Sequence, residues 1–307
     1  MKGIELSKLY YEQICKPKIE AEFSEYKDRI AVGLVGEGSE CYGYDDELSQ
    51  DHDFGPSCCF WLTNEDYLSF GQSLHELLET LPKTFMSFPA LEESEWGSGR
   101  RGVLNIDSFY LKFIGRKDIP VTIDDWRRIP ETGLSVATNG LVFSDPLGEF
   151  SKIRNGLLEY YPEDIRLNKI AARCMKIAQA GQYNFARCLK RKEFVAARIV
   201  ESEFINETIS MIYLLNKRYK PFYKWMHKDM ENLEILGKYL HKKLSLLIDS
   251  EYKDKIEIIE KICESIITEM KIQGLTNSKS DFLLDHGVIV QEKIKDTDLR
   301  KSSPWLD

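Results

Sequence analysis

Apolar and polar residues follow two rhythms along this chain, one in each half. In the first half Leu6, Leu9, Tyr10, Ile14 and Ile19 recur at helical spacing and predict an amphipathic helix over residues 5–28. The unbroken apolar run Ile30-Ala31-Val32-Gly33-Leu34-Val35 then predicts a buried strand, and Cys58-Cys59-Phe60-Trp61-Leu62 predicts a second. Asn64 is expected to cap a helix reaching about Thr80. A glycine-rich, charged stretch from Glu92 to Gly102 leads into Val103-Leu104-Asn105-Ile106-Asp107, which reads as a third strand. Beyond it, Ile119 to Ile123 reads as a strand and Trp126 to Ile129 as a short helical turn.

From about Tyr160 the period changes to that of long helices. Pro162 and Asp164 start one through Leu167, Ile170, Ala171, Cys174 and Ile177, with Gly181 at its end or at its junction with the next. Further helices are expected over residues 185–216, 221–241 and 250–273, followed by one apolar run at 287–290 and a polar tail. The expected fold class is therefore α+β: a small-sheet domain over residues 1–150 and a helical-bundle domain over residues 151–307.

Composition narrows the setting. A chain of 307 residues that is 43% hydrophobic can bury two cores. It has no apolar run of about eighteen residues, and its first residues lack the apolar centre of a signal peptide, so no membrane partner and a cytoplasmic location are expected. The seven cysteines are scattered without a Cys-x-x-Cys pair and read as reduced, buried thiols. Charge is unevenly divided: residues 1–150 carry 14 Lys+Arg against 27 Asp+Glu, and residues 151–307 carry 28 against 23. An acidic half that gathers cations and a basic half that receives phosphates suit a nucleotide, although surface composition alone gives the same imbalance. The net charge of −8 argues against nucleic acid as a partner.

The chemistry concentrates between Gly36 and Pro56, GEGSECYGYDDELSQDHDFGP. Gly36, Gly38 and Ser39 end the first strand, where backbone N–H groups can meet phosphate oxygens. Asp51 and Asp53 flank His52, and alternate residues of an extended segment share one face, so both carboxylates can reach the same hard cation. His52 itself points the other way and reads as support. A loop rich in glycine and acids for conformational reasons alone is the competing reading.

The motif Gly38-Ser39-x-x-x-Gly43-x-Asp45-Asp46-Glu47-x-Ser49-x-Asp51-His52-Asp53-x-Gly55-Pro56 resembles the DNA polymerase β-like nucleotidyltransferases, and in its long form one bacterial branch of them. The resemblance extends through Asp125-Trp126, Tyr160 to Asp164 and Arg218 to Trp225. It implies a small mixed sheet and two Mg²⁺ ions, with Mn²⁺ as an alternative, held by three carboxylates. It also implies transfer of a nucleoside monophosphate from a nucleoside triphosphate to a hydroxyl of an unknown acceptor, with release of pyrophosphate. Gly38 and Ser39 would hold the outer phosphates, and Asp51 and Asp53 the metals. Asp107 is the expected third carboxylate, with Asp124 and Asp125 as rivals, Asp125 reading better as a helix cap. A catalytically silent nucleotide-binding protein of the same fold is the alternative.

In the second half, Arg187, Arg191 and Arg198 fall on one face of the expected helix and suit a triphosphate, or else form a solvated stripe paired with Glu193 and Glu201. Lys217 to Trp225 interleaves cations, Lys224 among them, with aromatic rings that either stack a base or fill the core. Arg187, Arg191 and Lys224 are the candidate nucleotide contacts here. The absence of a Gly-x-x-x-x-Gly-Lys-Ser/Thr run removes the P-loop class from consideration.

Overall fold

The computed structural model describes residues 1–50, 54–89, 91 and 99–306. The fold is α+β, in two compact units, Met1–Glu159 and Tyr160–Asp307.

In the first unit α1 (Gly3–Tyr10) and α2 (Lys16–Glu22) run on through a wide π-type turn, Tyr11–Cys15. Next come β1 (Ala31–Leu34), β2 (Cys59–Leu62), α3 (Asn64–Glu79) and a small hairpin of β3 (Thr84–Phe85) and β4 (Phe88–Pro89). The unit closes with β5 (Gly102–Asn105), α4 (Ile106–Ile114), α5 (Ile123–Arg127), α6 (Glu131–Thr138), β6 (Leu141–Ser144) and α7 (Glu149–Leu158).

Four strands form one mixed sheet in the order β5-β2-β1-β6. β1 is antiparallel to β2, with Val32 opposite Phe60, and to β6. β2 is parallel to β5, with Cys59 opposite Gly102 and Leu62 opposite Asn105. A parallel pair needs a long crossover, and α3 lies within it. The topology puts the carboxyl end of β1 and the amino ends of β2 and β5 at one end of the sheet. The amino end of β1 and the carboxyl ends of β2 and β5 share the other.

β1 and β2 are buried throughout because both sheet faces are covered. Phe60 and Leu62 join Leu6, Cys15, Ile30 and Leu74 in the core on the side of α1 to α3. Trp61 points the other way and stacks on Phe150 of α7 at 3.9 Å, with Phe109 of α4 edge-on at 5.6 Å. Such aromatic pairs contribute about 0.5–1.5 kcal/mol each beyond their buried area.

Several boundaries differ from the sequence reading, each for a local reason. The first helix ends at Glu22, where Phe23 leaves the helical region. Thr63, not Asn64, caps α3, its hydroxyl accepting from the Asp66 N–H at 3.2 Å. The third strand stops at Asn105, whose side chain accepts from the Ser108 N–H at 2.9 Å and starts α4, so Ile106 and Asp107 are helical. Residues 119–122 form no strand, and Thr122 caps α5. α7 belongs to the first unit, so the boundary falls after Glu159 and not after residue 150.

The second unit is helical. α8 (Glu163–Ile177) passes through a π-type stretch, Ala178–Phe185, into α9 (Ala186–Lys190), and α10 (Phe194–Leu215), α11 (Tyr223–Met230) and α12 (Gly237–Asp249) follow. α13 (Tyr252–Ile272), α14 (Leu283–Glu292) and α15 (Thr297–Lys301) complete it. Leu167, Ile170, Ala171, Cys174 and Ile177 are all buried, as their spacing predicts. α9 ends at Lys190 and Lys192 is left-handed (φ 60°), which splits the single helix expected over 185–216. Leu236, also left-handed, divides α11 from α12 in the same way. The buried Lys255 ammonium pairs with the buried Glu201 carboxylate, which also meets Arg198 at 2.9 Å. Arg173 likewise meets Glu207 at 3.1 Å and the Ser210 hydroxyl at 3.0 Å. Pairing is what permits these charges inside a bundle.

Gly181 lies inside the π-type stretch that joins α8 to α9, where neighbouring side chains leave no room for a Cβ. A Cβ there would fall 2.4 Å from the Phe204 ring and 2.9 Å from Ile259. Helix propensity alone makes Gly→Ala favourable by about 1 kcal/mol, whereas overpacking costs about 1–3 kcal/mol. Gly181→Ala is therefore expected to lower stability in chemical denaturation, and Phe204→Leu in the same chain to restore part of it. A more stable single variant would show that propensity wins.

Candidate functional site

β1 delivers the chain to a turn at residues 36–40. Gly36 (φ 125°) and Gly38 (φ 120°) adopt backbone conformations that side-chain-bearing residues rarely take. Asn139 locks the start of the turn: its amide accepts from the Gly36 N–H at 2.9 Å and donates to the Gly36 carbonyl at 2.8 Å. The Gly36 N–H is thus engaged within the protein. Among the described residues no hydrogen bond engages the N–H of Gly38 or of Ser39, and the Glu40 carboxylate packs against Gly38.

Arg101, at the amino end of β5, supports the turn from below. Its guanidinium is buried, donates to the Glu37 carbonyl at 2.8 Å and pairs with the Glu40 carboxylate. Burial works against its charge, but the Cys41, Cys59 and Glu40 groups around it hold its pKa above the usual arginine value. The Cys41 thiol, 3.4 Å away, is pushed up to about 12 by burial and so is neutral near pH 7. Glu40 is accordingly the counter-charge that matters. On the outer side Glu37 meets Lys112 of α4 at 2.7 Å and Arg100 at 3.7 Å. The Tyr42 and Ser135 hydroxyls, 3.0 Å apart, tie the following helical turn to α6.

The acidic loop beyond is anchored at the start of α1. Asp45 is buried, accepts from the Gly3 N–H at 2.8 Å, and lies 4.0 Å from the Lys2 ammonium. A Cβ on Gly3 would fall 2.7 Å from Glu40 and 3.4 Å from the Phe54 ring. Asp45 and Phe54, which precede and follow Asp51 and Asp53 in sequence, therefore both meet the residue that touches the end of the turn. Asp51, His52 and Asp53 themselves lie outside the described residues.

Asp107 is a correction. It was expected on a strand face beside Asn105, yet it lies in the first turn of α4, at the end of the sheet opposite Gly38 and Ser39. It is half-buried there, with Lys117 at 4.0 Å. The four residues of β5 separate the two ends, roughly 10 Å at strand rise. Asp125 completes a capping box, accepting from the Thr122 N–H at 3.0 Å and meeting Arg116. Those backbone and hydroxyl hydrogen bonds from Thr122 hold its pKa below the ordinary carboxylate range. Asp124 is exposed in the same helix.

Arg187, Arg191 and Lys224 are exposed on the second unit. Arg187 stacks over Tyr183 at 4.7 Å and Lys224 lies 5.8 Å from the Trp225 ring. The break at Lys192 removes Arg198 from the face of Arg187 and Arg191, and Arg198 pairs with Glu201. The cations beside the turn, Arg100, Arg101 and Lys112, were missed. Arg100-Arg101 just ahead of an apolar run was a visible signal; Lys112 had none until α4 folded back from Asn105.

Among the described residues no group of three or more His, Cys, Asp or Glu side chains is placed to hold a metal ion, and no helix is long and apolar enough to cross a membrane. Over residues 126–226 the chain is similar to a family described as Domain of unknown function (DUF4037). No curated protein and no solved structure matches it.

The capping role of Asp125 gives a pH-dependent expectation. A carboxyl whose folded pKa is depressed stabilises above its unfolded value, about 3.9, and that stability is lost as pH falls through the folded value. Asp125→Ala should melt below the parent protein at pH 7, and the gap should close progressively below about pH 4. A gap independent of pH would contradict the capping role.

Proposed function

We infer that this chain is a metal-dependent nucleotidyltransferase, moving a nucleoside monophosphate from a nucleoside triphosphate to a hydroxyl acceptor. The observation that carries the reading is the turn at β1: two consecutive N–H groups, Gly38 and Ser39, that nothing in the described protein engages, on a backbone braced by Asn139 and Arg101. The mixed sheet adds support, since the resemblance implies one and the turn lies beside the amino ends of β2 and β5. The anchoring of Asp45 and Phe54 at Gly3 supports it further.

In this reading the Gly38 and Ser39 amides and the Ser39 hydroxyl orient the outer phosphates before reaction, so no reorganisation is needed as charge develops. The acceptor oxygen bonds to the α-phosphorus in line with the departing pyrophosphate, the α–β bridging bond breaks, and the hydroxyl proton is released. Two carboxylates one residue apart, Asp51 and Asp53, are a fitting donor set for Mg²⁺, which when bound neutralises charge on the phosphates. Asp107 does not fit that set, because it starts α4 at the far end of the sheet. The silent nucleotide-binding alternative differs only in releasing no pyrophosphate.

The test is incubation with each labelled nucleoside triphosphate, Mg²⁺ and a cell extract, followed by identification of what becomes labelled. Asp51→Asn and Asp53→Asn should each abolish labelling without lowering the melting temperature, whereas Asp107→Asn should retain it. Labelling by Asp51→Asn at the parent rate would sink the assignment of the metal site.

A further inference from the structure

Resting on that reading, we propose that Glu37 is a built-in stand-in for a phosphate group: it occupies, through its own carboxylate, the cationic position that the terminal phosphate of a nucleoside triphosphate takes on binding. The position is a cavity of about 130 Å³ lined by Gly36, Glu37, Arg100, Ser108, Lys112 and Phe113, and Glu37 immediately precedes Gly38 in the turn. A water's share of the liquid is about 30 Å³, so the cavity admits a phosphate group in place of several waters.

Three observations lead there. Lys112 and Arg100 come from different elements, α4 and the segment before β5, and both meet the same oxygen of Glu37, at 2.7 Å and 3.7 Å. Two cations converging on one anionic oxygen is the arrangement by which proteins hold phosphate. Glu37 is itself half-exposed, so its ion pairs are weak and exchangeable, of the kind that contribute little in water. Finally, Asn139 holds the Gly36 backbone and Arg101 holds the Glu37 carbonyl, so the Glu37 side chain can leave Lys112 while the turn keeps its shape. The triphosphate brings its own negative charge to Lys112 and Arg100 and releases the glutamate to solvent.

The experiment titrates the full-length protein with inorganic tripolyphosphate by calorimetry, with and without Mg²⁺, for the parent, Glu37→Gln, Lys112→Met and the double variant. Removing the competing carboxylate should tighten binding about fivefold, the upper range for an exposed ion pair. Lys112→Met should weaken it about tenfold or more, as for a lost charge-assisted contact. The decisive readout is coupling: the gain from Glu37→Gln should vanish in the Lys112→Met background, because the glutamate competes through that lysine. Binding that appears only in Glu37→Gln supports the exchange as well. Unchanged affinity in Glu37→Gln, a gain that survives Lys112→Met, or no binding by any variant overturns it. Labelled transfer, measured separately, keeps the two readings apart: transfer without the coupling removes the stand-in role alone, and coupling without transfer removes the transferase reading alone.

Discussion

One buried guanidinium organises the described part of the site. Arg101 reaches from the amino end of β5 under the turn that follows β1, bonding the Glu37 carbonyl and pairing with Glu40. It ties the edge strand of the sheet to the turn next to the central strand, across the amino end of β2. Breaking a buried pair by removing one partner generally costs about 3–5 kcal/mol, since a charge is left inside without compensation. The turn depends on that pair because its two glycines bring no side chains, and of the two only Gly36 is tied elsewhere, through its backbone to Asn139.

The mixed sheet makes this arrangement possible. β2 pairs antiparallel with β1 and parallel with β5, so the carboxyl end of β1 and the amino end of β5 fall together. An all-parallel sheet would have brought Asp107 to the turn and carried Arg101 away from it. Burial of both sheet faces then fixes the register, since Trp61 needs Phe150 on one side while Phe60 and Leu62 need the α1 to α3 core on the other. A slip of one residue would exchange the two.

The helical unit is stabilised differently. Its charged residues are taken inside and paired, as with Lys255 and Glu201 or Arg173 and Glu207. Its helices are interrupted by left-handed residues, Lys192 and Leu236, that carry side chains. These breaks are invisible to a periodicity argument, which expects glycine or proline at a helix end.

The sequence alone determined the α+β class, the buried strands at Ala31–Leu34 and Cys59–Leu62, the start of the long helices after Pro162, and the turn at Gly36 to Ser39. All of these rest on local pattern: apolar runs, helical spacing and glycine, whose consequences do not depend on distant residues. The capping of α5 by Asp125 was legible for the same reason. Where Asp107 points, which cations surround the turn and what face Arg198 shares were decided by tertiary structure. Asn105 chose capping over strand once the sheet pairing ended, and that single local switch turned α4 back, carrying Lys112 to Glu37 and leaving Asp107 behind at the far end. Spacing along a chain cannot report such a reversal, because it is set by the parallel pairing of β5 with β2, 43 residues back in the chain (Gly102 opposite Cys59), and the two strands share no local pattern.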